Sequence, residues 1–195
     1  SSNVKLYKTI ELLCKKDYLF GTSGLITGLV AQAHEKNGEW NGCDRYDFTF
    51  KDRQATIVVP KKAAKEIRDL APAFFDAFPS VDKALLEKGF HIVYYDVTHL
   101  YGSPRAVSLG TEFYENMTIF YNLSEKVTLE GFSRGGLFVF NWAAQNTEKV
   151  ACIYVDAPVC DVFSWPGRKN AALWNDLLKE WNLTDAGMEI SKGNP

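Results

Sequence analysis

Residues 126–145 read KVTLEGFSRGGLFVFNWAAQ, in which a strand-forming run, a glycine-rich turn and a helix-forming run follow one another. The β-branched and apolar residues from Val127 to Glu130 predict a strand, and those from Gly135 to Gln145 predict a helix. The turn between them fits the pattern G-x-S-x-G. A serine on such a strand-to-helix turn holds its hydroxyl above the C-terminal edge of a sheet. The pattern therefore favours Ser133 as a nucleophile over a Gly-Ser turn that merely links the two elements.

Two further expectations follow from this turn. Ser133 should have a positive φ, because the sharp turn demands it and a residue other than glycine rarely adopts it otherwise. The backbone N–H of Arg134 should point, with the helix N-terminus behind it, toward a developing oxyanion. The Arg134 side chain could bind a substrate carboxylate or form a surface ion pair, and the sequence leaves both open.

Strands and helices alternate around this turn. Further strands are predicted at 91–97 and 150–155, and further helices at 74–88, 113–123 and 171–181. A hairpin of residues 45–50 and 54–59 precedes them and suits the antiparallel edge of a larger sheet. This alternation predicts an α/β fold with a doubly wound, mostly parallel sheet and helices on both faces.

The amino-acid composition limits the classes of partner that the protein is expected to bind. The formal net charge is -2 and 46% of the 195 residues are hydrophobic, so the chain can fill a core but should not attract polyanions. No apolar run approaches the roughly 20 residues of a membrane-spanning helix. We therefore expect a soluble protein with neither nucleic acid nor membrane as partner.

The four cysteines are Cys14, Cys43, Cys152 and Cys160. They form no C-x-x-C pair and no zinc-like spacing with histidine, so no metal site is expected. Their even number permits disulfides without showing any. Cys152, in an apolar strand-like run, is expected to be a small buried hydrophobic residue.

The segment EGFSRGG at 130–136 resembles the nucleophile elbow of bacterial α/β-hydrolases related to the prolyl oligopeptidase and esterase groups. One largely uncharacterised branch of that superfamily is also similar at FDAFP (75–79), GFHIV (89–93), YGSP (101–104), DAPV (156–159) and SWPG (164–167). The resemblance covers approximately residues 44–170. It implies a serine hydrolase that needs no cofactor and acts on a small-molecule ester or amide through an acyl-enzyme, and it makes export from a bacterial cell plausible.

The sequence departs from that pattern twice. A strand rich in Trp and Arg is expected after Pro60, leading to the loop with the second oxyanion donor, but Lys61 to Leu70 is polar and favours helix. No histidine follows Ser133, although the usual chain order is Ser, then Asp or Glu, then His. We therefore expect one domain that lacks its C-terminal part, with an N-terminal helical extension at 1–40, a sheet core at 44–158 and the start of a cap at 159–195.

The remaining site candidates flank the predicted strands. His99 follows the strand at 91–97 on the edge where active-site loops gather, so pocket lining suits it better than a general base. Tyr101 and Trp165 are candidate rim residues. Asp156 is a candidate triad acid, as the resemblance implies, but an Asp before Ala-Pro at a strand end more often satisfies loop N–H groups.

Two functions remain open. The first is ester hydrolysis through Ser133. The second is a non-catalytic module that keeps the fold and binds a small molecule in its cleft, which the absent histidine supports. The oligomeric state is left open.

Overall fold

The computed structural model describes residues 36–63, 68–71, 75–76, 79–121 and 123–192. Its strands are β1 (Gly38–Trp40), β2 (Cys43–Phe50), β3 (Arg53–Val59), β4 (Arg68–Ala71), β5 (His91–Tyr95), β6 (Val127–Phe132) and β7 (Val150–Asp156). Its α-helices are α1 (Ser80–Glu87), α2 (Pro104–Phe120), α3 (Gly135–Gln145), α4 (Ala171–Trp181) and α5 (Asp185–Lys192). Short 3₁₀ turns lie at Thr98–Leu100 and Thr147–Lys149.

The seven strands of the described residues form one sheet, in the order β1-β2-β3-β5-β4-β6-β7. The first three are antiparallel, and β3 also pairs antiparallel with β5. From β5 onward the pairs are parallel. The C-terminal ends of β5, β4, β6 and β7 therefore meet at one edge, where ligands bind in sheets of this kind. The predicted hairpin and the α/β fold class are confirmed, and the sheet is mixed, with three antiparallel and three parallel pairs among the described strands.

Helices pack on both faces of the sheet because successive strand residues point to opposite sides. Val93 and Tyr95 of β5 and Leu129 of β6 are buried against α2 and α3, through side chains such as Phe113, Phe138 and Trp142. On the opposite face, Ile92 and Val58 are buried with Leu86 of α1. The cluster that contains Phe113, Phe138 and Trp142 holds α3 against the sheet. Helix α3 in turn positions the turn that carries Ser133.

Several predicted boundaries are corrected. The segment Lys61 to Leu70 contains the start of β4, although its polar residues favoured helix. Parallel pairing with β5 on one side and β6 on the other explains this, because neighbouring strands override a weak local propensity. Helix α2 begins already at Pro104, where the Ser103 hydroxyl caps it by accepting from the Ala106 N–H at 3.2 Å.

The N-terminal boundary also shifts. β1 belongs to the sheet, so the core begins at Gly38 and part of the expected extension at 1–40 is strand. The rest of that expected extension, up to residue 35, lies outside the described residues. In the part of the chain that the structure describes, no helix is long and apolar enough to cross a bilayer.

Cys152 is exposed, contrary to expectation. It lies on β7, which among the described residues pairs only with β6, so much of this strand faces solvent. Its sulfur lies 3.2 Å from the Thr128 hydroxyl. Cys43, Cys152 and Cys160 are all free thiols, and Cys14 lies outside the described residues.

Candidate active site

Ser133 lies on the turn between β6 and α3, with φ of 51°. The predicted left-handed backbone is therefore confirmed. Arg134 already has helical dihedrals, and α3 begins one residue later. The serine thus stands at the C-terminal end of an inner strand, directly before the positive end of a helix dipole.

The end of β7 and the segment after it form hydrogen bonds with the turn that carries Ser133. The Ser133 N–H donates to the Asp156 carbonyl at 3.1 Å, and the Val159 N–H donates to the Ser133 carbonyl at 2.8 Å. The N–H and the carbonyl of Ser133 are therefore both hydrogen-bonded, the first to the end of β7 and the second to the loop after it. These bonds help to hold a backbone conformation that costs about 1–3 kcal/mol at a residue other than glycine.

Gly136 allows this loop to approach the helix. A Cβ atom at this position would lie 2.7 Å from the Pro158 Cβ and 2.8 Å from the Val159 carbonyl oxygen. The loop after β7 can thus contact the first turn of α3 only because residue 136 has no side chain. The pattern G-x-S-x-G does not include this position, so motif reasoning assigned it no role.

The Arg134 side chain reaches an aromatic cluster. Its guanidinium carbon lies 5.9 Å from the ring centre of Trp165, whose ring lies 6.1 Å from that of Tyr101. Burial raises the pKa of Tyr101, the charge of Asp176 raises it further, and the charge of Arg134 opposes both. Burial and the charge of Asp96 also raise the pKa of Tyr94, against a hydrogen bond from Thr98 and the charge of Arg134.

Tyr101 is buried, which corrects its assignment as a rim residue. It is 2% exposed and packs with Leu137, Trp174, Leu177 and Met188 beneath α4 and α5. Its carbonyl accepts from the Trp181 indole N–H at 3.1 Å. Gly102 follows with φ of 62°, and its carbonyl accepts from the Asn141 side chain at 2.8 Å. Tyr101 therefore supports the ring of Trp165 from below.

Trp165 is half-buried on a turn that Asp161 organises. The Asp161 carboxylate accepts from the Phe163 N–H at 3.0 Å, and its carbonyl accepts from the N–H groups of Ser164 and Trp165 at 3.1 Å. Asp161 thus has the turn-capping role that was expected of Asp156. The turn places Trp165 beside Arg134, although the two residues are far apart in sequence.

Asp156 is exposed at the end of β7. Among the described residues its carboxylate makes no hydrogen bond, so the expected capping of loop N–H groups is not seen. The Asp156 backbone carbonyl accepts from the Ser133 N–H, while the residue as a whole is exposed. The carboxylate therefore remains available to another group at this edge.

His99 lies on the same sheet edge as Ser133, exposed in the 3₁₀ turn after β5. β4 separates β5 from β6, which places the two strands about 10 Å apart. His91 lies at the N-terminal end of β5, at the opposite edge. The described residues include both of these histidines but not His34, and within them the Ser133 hydroxyl has no hydrogen-bond partner. The described part of the chain also holds no cluster of three or more His, Cys, Asp or Glu side chains placed to bind a metal.

No protein-family profile matches the sequence, and no curated protein matches it. Solved structures do resemble the fold. A zinc-bound cold-adapted esterase from an Arctic intertidal metagenomic library has a TM-score of 0.53 at 12% identity, over 72% of this chain and 71% of that one. Candida antarctica lipase A in its closed state has a TM-score of 0.52 at 16% identity, over 84% and 48%. Francisella virulence factor BioJ has a TM-score of 0.50 at 17% identity, over 94% and 63%.

These likenesses define the class of fold: the chain has the α/β-hydrolase fold. The chain spans 61% of the native form of the Arctic esterase and 48% of the lipase, which is less than two thirds of either. The narrower resemblance to one bacterial branch stays a prediction.

Proposed function

We propose that the complete protein is a serine hydrolase that cleaves small-molecule carboxylic esters through an acyl-enzyme on Ser133. The observation that carries the proposal is the left-handed serine between an inner parallel strand and the N-terminus of α3. Neighbours of this fold that are named as an esterase and a lipase support esters as the substrate class. Amides are the second substrate class for the same chemistry.

The proposed reaction begins when the Ser133 oxygen attacks the ester carbonyl carbon while a base takes its proton. The carbonyl oxygen becomes an oxyanion that accepts from the Arg134 N–H near the positive end of α3. On collapse the bond to the alkoxy group breaks, and the base returns its proton to that oxygen, so that an alcohol leaves and an acyl-enzyme remains. Water then hydrolyses the acyl-enzyme with the help of the same base and releases the carboxylic acid. No step requires a cofactor or a metal.

Other residues have supporting roles in this proposal. Asp156 is the proposed acid that orients the base, because its carboxylate is exposed on the strand beside the serine turn. Trp165 and His99 are proposed to line the substrate pocket, with Tyr101 supporting Trp165. A serine hydroxyl is a weak nucleophile without a base, and no histidine follows Ser133 in the sequence. Residues 1–195 alone are therefore expected to be nearly inert.

The test is hydrolysis of short-chain aryl esters by residues 1–195, by the product of the complete gene, and by the Ser133→Ala form of each. We expect turnover by the complete product and a loss of at least about 10³-fold in kcat on Ser133→Ala. Full turnover by residues 1–195, abolished by Ser133→Ala, would show that these residues already contain a base. If the complete product cleaves no ester or amide, the module that only binds a small molecule replaces this proposal.

A further inference from the structure

The loop after β5 is held by two helices. This β5 loop, residues 98–103, contains two consecutive residues with positive φ, Tyr101 at 50° and Gly102 at 62°. The Tyr101 carbonyl accepts from the Trp181 indole N–H of α4 at 3.1 Å. The next carbonyl, that of Gly102, accepts from the side-chain amide of Asn141 on α3 at 2.8 Å. Neighbouring carbonyls of one loop are therefore bonded to two different helices.

The β5 loop and α3 are in contact through their backbones. A Cβ atom on Gly102 would lie 2.3 Å from the Leu137 carbonyl oxygen and 3.0 Å from the Phe138 nitrogen, so no side chain fits there. Leu137 lies in the first turn of α3, four residues after Ser133. Asn141 follows Leu137 by one turn and lies on the same face of the helix. Its hydrogen bond therefore forms where the loop and the helix meet.

The two hydrogen bonds join the loop to different parts of the site. Trp181 belongs to the segment after β7, which also contains Trp165, whereas Asn141 belongs to the helix that begins directly after the Ser133 turn. Of the side-chain hydrogen bonds among the described residues, that of Asn141 is the one that joins the β5 loop to α3. Without it, the loop would stay bonded to the segment after β7 but would be held less firmly against α3.

The β5 loop also supports one wall of the candidate pocket. The buried ring of Tyr101 lies 6.1 Å from the ring of Trp165, which is half-buried. The Trp165 ring lies 5.9 Å from the guanidinium carbon of Arg134, the residue after the proposed nucleophile. Aromatic side chains commonly line the pockets that bind small molecules. A shift of the loop against α3 would therefore move Tyr101, and with it Trp165, relative to Ser133.

We infer that Asn141 is a positioning residue that holds the β5 loop against α3 and thereby sets how large an acyl group fits beside Ser133. This inference rests on the proposed function and adds a size limit on the substrate to it. Asn141 acts through the loop, which supports Trp165. With the hydrogen bond in place, Trp165 forms a close wall for a short acyl group. Without it, a short acyl group loses contacts and a long one gains room.

The test compares p-nitrophenyl acetate with p-nitrophenyl octanoate as substrates of the complete gene product, with the active sites counted by fluorophosphonate titration. Asn141→Leu has a similar shape but no donor. It should lower the ratio of kcat/KM for the acetate to kcat/KM for the octanoate by about 5-fold, within the range expected for the loss of one hydrogen bond. The change should fall on KM, with kcat per active site altered by less than about 2-fold. A purely structural role would reduce the number of active sites and leave the ratio unchanged.

Two further substitutions at the same position sharpen the test. Asn141→Asp keeps the shape of the side chain but cannot donate, so it should shift the ratio in the same direction as Asn141→Leu. It decides the question if Asn141→Leu does not fold. Asn141→Gln retains the amide donor on a longer side chain and should recover part of the ratio.

Asn146→Leu is the matched control. Asn146 caps the other end of α3, is 5% exposed, and donates from its side-chain amide to the Trp142 carbonyl at 3.0 Å. The substitution removes an amide hydrogen bond from the same helix away from the β5 loop, so it should lower stability and leave the ratio unchanged. An unchanged ratio in folded Asn141→Leu or Asn141→Asp, or an equal change in Asn146→Leu, would overturn the inference alone. Turnover of neither ester by the wild type would overturn the proposed function as well.

Discussion

Strands β5 and β7 have similar sequences and very different surroundings. β5 reads HIVYY and β7 reads VACIYVD. Ile92 and Val93 of β5 are 0% and 3% exposed, whereas Ile153 and Tyr154 of β7 are 39% and 42% exposed. β5 lies between β3 and β4 with helices on both faces, and β7 pairs only with β6 among the described residues. Residue type therefore decides that each run becomes a strand, but neighbours decide how much each contributes to stability.

The largest effect in this comparison is expected from Ile92→Ala. The side chain is fully buried with Val58 and Leu86, so truncation loses transfer free energy and leaves a cavity. The free energy of unfolding should fall by about 2–5 kcal/mol. Urea denaturation followed by circular dichroism measures it. A loss below about 1 kcal/mol would mean that the α1 face of the sheet is not closely packed.

Gly136→Ala should have the next largest effect, because Gly136 is where the loop after β7 contacts α3. The added Cβ would meet the Pro158 Cβ at 2.7 Å and the Val159 carbonyl oxygen at 2.8 Å. Overpacking of this kind costs about 1–3 kcal/mol. Displacement of the Ser133 turn should also lower kcat/KM for esters about 10-fold or more, since misplacement by 1 Å can cost about 10².

Gly38→Ala is the control for that substitution. Its Cβ would meet only the Arg45 side chain, at 3.9 Å, so both stability and ester hydrolysis should be nearly unchanged. If Gly136→Ala and Gly38→Ala have the same effect, the loop after β7 does not hold the serine turn.

Ile153→Ala should have the smallest effect. The side chain is 39% exposed, so truncation removes little buried area and leaves no enclosed cavity. The free energy of unfolding of residues 1–195 should fall by less than about 1 kcal/mol. A loss equal to that of Ile92→Ala would show that β7 is covered in solution and would remove the contrast between the two strands.

Most strands of the sheet could be predicted from hydrophobic periodicity, but β4 could not. The residues of β4 read RDLA and carry no apolar pattern. Its pairing partners are supplied by segments distant in the chain, so no local window reveals it. The start of α2 did have a local signal, a Ser cap followed by Pro at the first helical position, which marks a helix N-terminus.

The candidate site also has one part that could be predicted from the sequence and one part that could not. The strand–turn–helix context was sufficient to predict the positive φ of Ser133. The contact of Arg134 with Trp165, and the burial of Tyr101 under α4, depend on how the segment after β7 folds back over the sheet edge. Spacing in the sequence carries no information about such contacts. The exposed position of Asp156 likewise follows from the place of β7 at the edge of the described sheet.

The central claim is that Ser133 is the nucleophile, and covalent labelling tests it most directly. The complete gene product is incubated with a fluorophosphonate, which phosphonylates activated serines, and the modified peptide is located by mass spectrometry. We expect a single adduct on Ser133, formed in step with the loss of ester hydrolysis and absent from Ser133→Ala. Complete inactivation with the adduct on a different serine, or undiminished labelling and hydrolysis in Ser133→Ala, would contradict the account.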